Sequence, residues 1–125
     1  KNDMTKKRWK AQIIECCKSA GTYEEYFNDV IETLAQTLEQ RDKVYKEYNE
    51  SGGHPLIEYT NKSGATNLMK HPLLGLWDEL NKSALAYWRD LGLTPAGLKK
   101  LDTDALKKKK ASSFGDFLMS RISEE

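Results

Sequence analysis

Between Tyr23 and Tyr48 the apolar side chains fall at Tyr23, Tyr26, Phe27, Val30, Ile31, Leu34, Ala35, Leu38, Val44, Tyr45 and Tyr48. This alternating three-and-one spacing places them on a broad stripe of a single α-helix. A strand, whose side chains alternate with a period of two, cannot gather them on one face. Thr22 is placed to cap this helix, with Glu25 three residues on to complete a capping box. Ser51-Gly52-Gly53 ends it, because glycine takes the left-handed conformation that closes a helix. The spacing therefore predicts a helix of about 29 residues and about 43 Å. An element that long in a 125-residue chain points to assembly with further copies.

The flanking segments read as shorter elements. Thr5 caps a first helix that carries Trp9, Ile13, Cys16, Cys17 and Ala20 on one face and stops at Gly21. The tight break at Gly21-Thr22 makes the two helices a hairpin or an angled pair. Leu56-Ile57-Glu58-Tyr59-Thr60 favours extended backbone, Asn61-Lys62-Ser63-Gly64 is a turn sequence, and residues 65–69 return as a second strand. Such a two-stranded hairpin or ordered loop is marginal alone, so it must pack on helices or on a neighbouring subunit. Pro72 opens a third helix with Leu73, Leu76, Trp77, Leu80, Ala84, Tyr87, Trp88 and Leu91 in helical period, ended by Gly92. Thr94-Pro95 restarts a short helix as far as Leu101. Beyond it, residues 102–113, with Lys107 to Lys110, read as a mobile linker, and Phe114, Phe117, Leu118 and Ile122 as a short amphipathic helix. The expected fold class is mainly α: an N-terminal helical hairpin with one long helix, a small β-hairpin or ordered loop, a further helix pair and a flexible basic tail. The expected division is a helical domain over residues 1–101 and a linker with its amphipathic segment over 102–125.

Twenty basic and nineteen acidic residues leave a net charge of +1, but the charges are segregated. Residues 1–20 hold six basic and two acidic side chains, whereas residues 21–60 hold three basic and nine acidic. A uniformly basic nucleic-acid binder is excluded. What fits is a chain with one cationic surface for a polyanion, or one that pairs its basic and acidic regions between copies. Lys6, Lys7, Arg8, Lys10 and Lys18, gathered on the first helix around Trp9, are the candidate phosphate contacts. The alternative for these residues is a solvated polar face. Glu24, Glu25, Glu32, Glu39 and Glu47 are expected on the solvated flank of the long helix.

Constellations for catalysis are nearly absent: a histidine acting with Cys16 or Cys17 would lack a third, orienting group. There is no glycine-rich phosphate loop and no dinucleotide fingerprint. His54 and His71 each precede a proline at a segment boundary. A zinc site built from them with Cys16 and Cys17 is awkward, because adjacent cysteines on a helix point about 100° apart. No cofactor and no metal are expected, and no enzyme activity. No apolar run approaches the ~20 residues that span a bilayer, residues 1–10 lack the apolar stretch of a secretory signal, and the adjacent cysteines suggest no disulfide scaffold. The expectation is a soluble intracellular protein without a membrane partner.

The stretch Ala84-Leu85-Ala86-Tyr87-Trp88-Arg89-Asp90-Leu91-Gly92-Leu93-Thr94-Pro95-Ala96-Gly97-Leu98-Lys99-Lys100-Leu101 resembles the signature of the P27 family of phage terminase small subunits, in which a leucine-rich helix runs into Leu-Gly-Leu-Thr-Pro and a short basic helix. The layout upstream is similar as well, through Gly21-Thr22-Tyr23, the long helix, Gly52-Gly53 and Gly64-Ala65-Thr66-Asn67, so the resemblance covers about residues 9–101. It implies a non-catalytic component of viral DNA packaging that forms a homo-oligomeric ring. Such a subunit recognises double-stranded phage DNA and regulates the large terminase subunit, which holds the ATPase and nuclease. On this resemblance Lys6, Lys7, Arg8, Lys10 and Lys18 would meet DNA phosphates, and Phe114, Phe117, Leu118 and Ile122 would dock the large subunit. The setting would be the cytoplasm of a bacterial host, with the gene carried by a phage or prophage. Two departures stand out: His71-Pro72 replaces the family's common Asn-Pro, and Ala96-Gly97-Leu98-Lys99 replaces a Ser-Arg type pattern, removing an arginine-type contact. A small helical DNA-binding regulator and a structural adaptor remain the alternative readings.

Overall fold

The structure is a computed structural model and describes residues 3–101. Helix α1, Lys6–Ala20, begins where expected. Thr5 is extended, and its Oγ1 accepts the Arg8 N–H at 3.3 Å. Gly21, at φ +73°, closes the helix by pointing its N–H at the Cys17 and Lys18 carbonyls.

The long stripe divides into two pieces. Helix α2 is Asn28–Glu50, 23 residues, so about 34 Å. A single 3-10 turn, Glu25–Phe27, precedes it, and Glu24 is extended. The capping box expected at Thr22 and Glu25 is not formed. Thr22 turns back instead, its hydroxyl donating to the Cys17 carbonyl at 3.4 Å and its backbone N–H to the same carbonyl at 2.9 Å. With Thr22 engaged in closing α1, the chain needs residues 22–24 to cross to α2. Tyr23 there donates its hydroxyl to Asn28 Oδ1 at 3.1 Å.

Helix α2 is the centre of the fold. Helices α1 and α3, Pro72–Asp90, both pack antiparallel on it: Asp3 lies beside Lys46 and Trp9 against Asp42, while Trp77 meets Tyr45 and Asn81 faces Arg41. Ile13 and Cys17 of α1, Ile31, Leu34, Ala35 and Leu38 of α2, Ala84 of α3 and Leu91 just beyond it form one sealed core, none more than 2% exposed. Each buried Leu or Ile contributes about 1.5–3 kcal/mol relative to exposure. Tyr26, by contrast, which the periodicity puts on the stripe, is 75% exposed, because the 3-10 turn changes the helical phase before α2 starts.

Strands β1, Leu56–Thr60, and β2, Thr66–Lys70, pair antiparallel in the register Leu56↔Lys70 through Thr60↔Thr66. Asn61 organises the turn: its Oδ1 accepts from the Ser63 N–H, the Ser63 hydroxyl and the Ala65 N–H. Gly64 sits at φ +86°. The hairpin projects from the bundle. Every residue of β2 is exposed, and in β1 only Ile57 is partly covered.

His71 joins the hairpin to α3. Its N–H donates to the Pro55 carbonyl at 2.8 Å, and its Nδ1 accepts the Leu73 N–H at 3.1 Å, so it serves as the helix cap that asparagine would otherwise supply. An accepting Nδ1 leaves the ring hydrogen on Nε2, which faces Ser51 Oγ at 3.2 Å; that hydroxyl in turn donates to the Tyr48 carbonyl at 2.6 Å.

After α3, Thr94 Oγ1 caps the helical turn over residues 95–101 through the Gly97 N–H, at 3.0 Å. Gly97 is buried there, and a Cβ on it would overlap the Arg89 carbonyl. The small residue here lets the short helix close onto the end of α3.

Candidate nucleic-acid interface

The five candidate cations all lie on α1, but the antiparallel pairing of α1 with α2 divides them. Lys6 and Lys10 share the face that carries Trp9, Ile13 and Cys17, since residues three and four apart stack on one side of a helix. Both turn toward α2. Lys6 Nζ lies 3.1 Å from Glu32 Oε1 and Lys10 Nζ 4.0 Å from Glu32 Oε2. Trp9 seals the same seam by donating its indole N–H to Asp42 Oδ2 at 2.8 Å, with the Arg41 guanidinium 5.6 Å from the ring centre.

Lys7, Arg8 and Lys18 are exposed. Lys7 and Lys18 stand eleven positions apart, which is about 20° off three full turns, so they share one outward face about 16 Å apart. Arg8 lies one position round the helix, its Nη1 3.4 Å from the Asp3 carbonyl. Lys18 Nζ sits 5.3 Å from the Tyr23 ring centre. The outward row is thus Lys7, Arg8 and Lys18, while Lys6 and Lys10 are occupied by Glu32.

Glu32 and Glu39 are corrected in consequence. Both stand at the rim of the α1–α2 seam, Glu32 with its side chain 46% exposed and Glu39 22%, whereas Glu24, Glu25 and Glu47 are exposed. Glu39 Oε2 accepts the backbone N–H of Lys6 at 2.7 Å, so a carboxylate of α2 satisfies one of the free donors at the positive end of α1. Its carboxyl is held below the ordinary glutamate range chiefly by that hydrogen bond, with Lys43 adding attraction. Glu32 is lowered first by its hydrogen bond from Lys6 and then by the charge of Lys10, and Asp3 by Lys46, 3.3 Å away.

These shifts set a pH dependence. A carboxylate whose folded value is depressed binds its proton less readily than in the unfolded chain. Its contribution is therefore complete above the ordinary value of 4.5 and is lost as pH falls below that, through the lower folded value. The urea midpoint is expected to fall as pH is lowered from 5 to 3. Glu39→Gln should shrink that fall, and an unchanged fall in this variant would show that the carboxylate does not hold the end of α1.

A second feature is not visible in the sequence. An open groove of about 1000 Å³ lies between the segment at Asp3–Thr5, the later half of α2, and Trp77 and Asn81 of α3. Tyr45 and Trp77 meet across it with ring centres 5.2 Å apart. Its lining comes from three distant stretches of chain, none a motif alone; only the aromatic periodicity of α2 and α3 hints at it.

Among the described residues no group of three or more His, Cys, Asp or Glu could hold a metal ion, and no helix is long and apolar enough to cross a membrane. Phe114, Phe117, Leu118, Ile122 and Lys107 to Lys110 lie outside the described residues, so the expected linker and terminal helix lie there too.

The fold defines a small antiparallel helical bundle centred on one helix, with a cationic row on α1 and a projecting β-ribbon. Residues 5–108 match the model of the phage terminase small subunit family. That match spans well over half of the chain, which therefore belongs to this family. No curated protein and no solved structure matches it.

Proposed function

We propose that this chain is a small terminase subunit of the P27 type: a non-catalytic, ring-forming protein that binds double-stranded phage DNA and regulates the large ATPase and nuclease subunit. The observation that carries the reading is the family match over residues 5–108. Within that frame α1 is the DNA-facing element. Lys7 and Lys18, about 16 Å apart, suit phosphates on either side of a groove about 12 Å wide, and Arg8 adds a third contact. Lys6 and Lys10 could join them only by exchanging Glu32 for phosphate. Lysine-rich contacts of this kind recognise backbone rather than bases. Affinity then rises through the number of copies bound at once. Residues 1–101 would form the DNA-binding and oligomerisation unit, with Phe114, Phe117, Leu118 and Ile122 docking the large subunit from the tail.

Absolute mass by light scattering behind a sizing column, with and without a double-stranded DNA fragment, tests this reading. A discrete assembly many times 14.3 kDa that retains DNA at low salt and releases it as salt rises is the expected result. A monomer or dimer that binds DNA would instead favour the regulator. A chain that retains no DNA would favour the adaptor.

A further inference from the structure

We infer that the β-ribbon of one copy lies in the α2–α3 groove of the next copy, which is a proposal that rests on the assembly reading above. The ribbon has no helix beneath it. Leu56, Tyr59 and Leu68 are 55%, 54% and 67% exposed. The register puts Ile57, Tyr59 and Met69 on one face and Leu56 and Leu68 on the other. A two-stranded ribbon is marginal alone, and one with exposed apolar side chains on both faces, Leu56 and Leu68 standing among Glu58, Thr60, Thr66 and Lys70, is covered fully only by a concave surface. It requires a floor and walls.

The groove supplies both. Tyr45 and Trp77 form an aromatic floor, with the segment at Asp3–Thr5 on one side and α3 on the other. Its charges cancel in pairs, Arg41 with Asp42 at 2.9 Å, Lys43 with Glu39 at 3.6 Å and Lys46 with Asp3 at 3.3 Å. Glu50 is left over: among the described residues it makes no ion pair. The ribbon carries the opposite excess, Lys62 and Lys70 against Glu58. Ribbon-to-ribbon pairing would be symmetric, would close at two copies and would leave the groove open. A ribbon in a neighbour's groove joins two different surfaces of the same molecule, the head-to-tail kind of contact that a ring requires.

Two measurements on the full chain test this. Leu68→Asp combined with Tyr59→Asp is expected to leave the helical circular dichroism of the subunit unchanged, because both side chains are exposed in the single chain. It should raise the dissociation constant of the assembly by about a hundredfold or more. A benzophenone amino acid at position 59, in a mixture of isotope-labelled and unlabelled subunits, should cross-link to residues 39–50 or 77–81 of another copy. Cross-links confined to another ribbon or to the same chain, or normal assembly of the double variant, would overturn the proposal while leaving the assembly reading intact. A monomeric parent protein would overturn both.

Discussion

Exchanging Lys7, Arg8 and Lys18 together for Gln is expected to weaken double-stranded DNA binding several hundredfold per copy, roughly, at about 0.1 M salt. The slope of log affinity against log salt should flatten by about three, near 0.9 for each phosphate no longer neutralised. Fluorescence anisotropy titrations across a salt series measure both quantities. The three side chains are exposed, and the contacts at risk, Lys18 over Tyr23 and Arg8 Nη1 to the Asp3 carbonyl, are each worth about 0.5–1.5 kcal/mol. Loss of binding would therefore not be a loss of fold. Lys6→Gln with Lys10→Gln is the contrasting pair. Their ammonium groups already lie beside Glu32, so this variant should change the slope by less than one and instead weaken the seam between α1 and α2. If the inward pair proves as costly to DNA binding as the outward three, the outward face of α1 is not the surface that meets DNA.

Leu34→Ala is expected to cost about 3–4 kcal/mol. Leu34 is fully sealed in the middle of α2, and removing its branched end loses transfer energy and leaves a void that the packed helices cannot collapse to fill. Against a total stability of about 5–15 kcal/mol, this should lower the thermal midpoint on the order of 10 °C. Urea unfolding followed by circular dichroism would show the shift without a change of slope. Leu85→Ala, at a residue 49% exposed, should cost under about 1 kcal/mol. Equal effects at the two positions would mean that the chain is not organised around α2.

The elements legible in the residues are those whose determinants are local. Thr5 and Gly21 close α1 from within a few residues, Pro72 and Thr94 start helices by their own backbone and hydroxyl chemistry, and Asn61 with Gly64 builds the turn of the hairpin. The true start of the long helix is not legible, because Tyr23, Tyr26 and Phe27 keep helical spacing whether or not Thr22 is free to cap. That hydroxyl is drawn to the Cys17 carbonyl, a competition no periodicity records. The placement of Glu32 and Glu39 is hidden for a related reason: a carboxylate beside an apolar stripe looks the same whether water or a second helix stands opposite.

The order of elements, most of the caps and most of the core follow from patterns a few residues long, because backbone hydrogen bonding and amphipathic period are set within one or two turns. The hairpin is legible, but its second strand starts at Thr66, one residue later than the turn sequence suggests. The choice among cations and among carboxylates does not. Five positive residues on α1 are equivalent in sequence, and they separate into Lys6 and Lys10 against Glu32, and Lys7, Arg8 and Lys18 toward solvent, once α1 lies antiparallel on α2. The groove likewise exists because Met4, Tyr45 and Trp77 are brought together from segments some forty and thirty residues apart. Coulomb attraction and apolar contact act over a few ångströms of space, and distance in space is settled by how the helices pack.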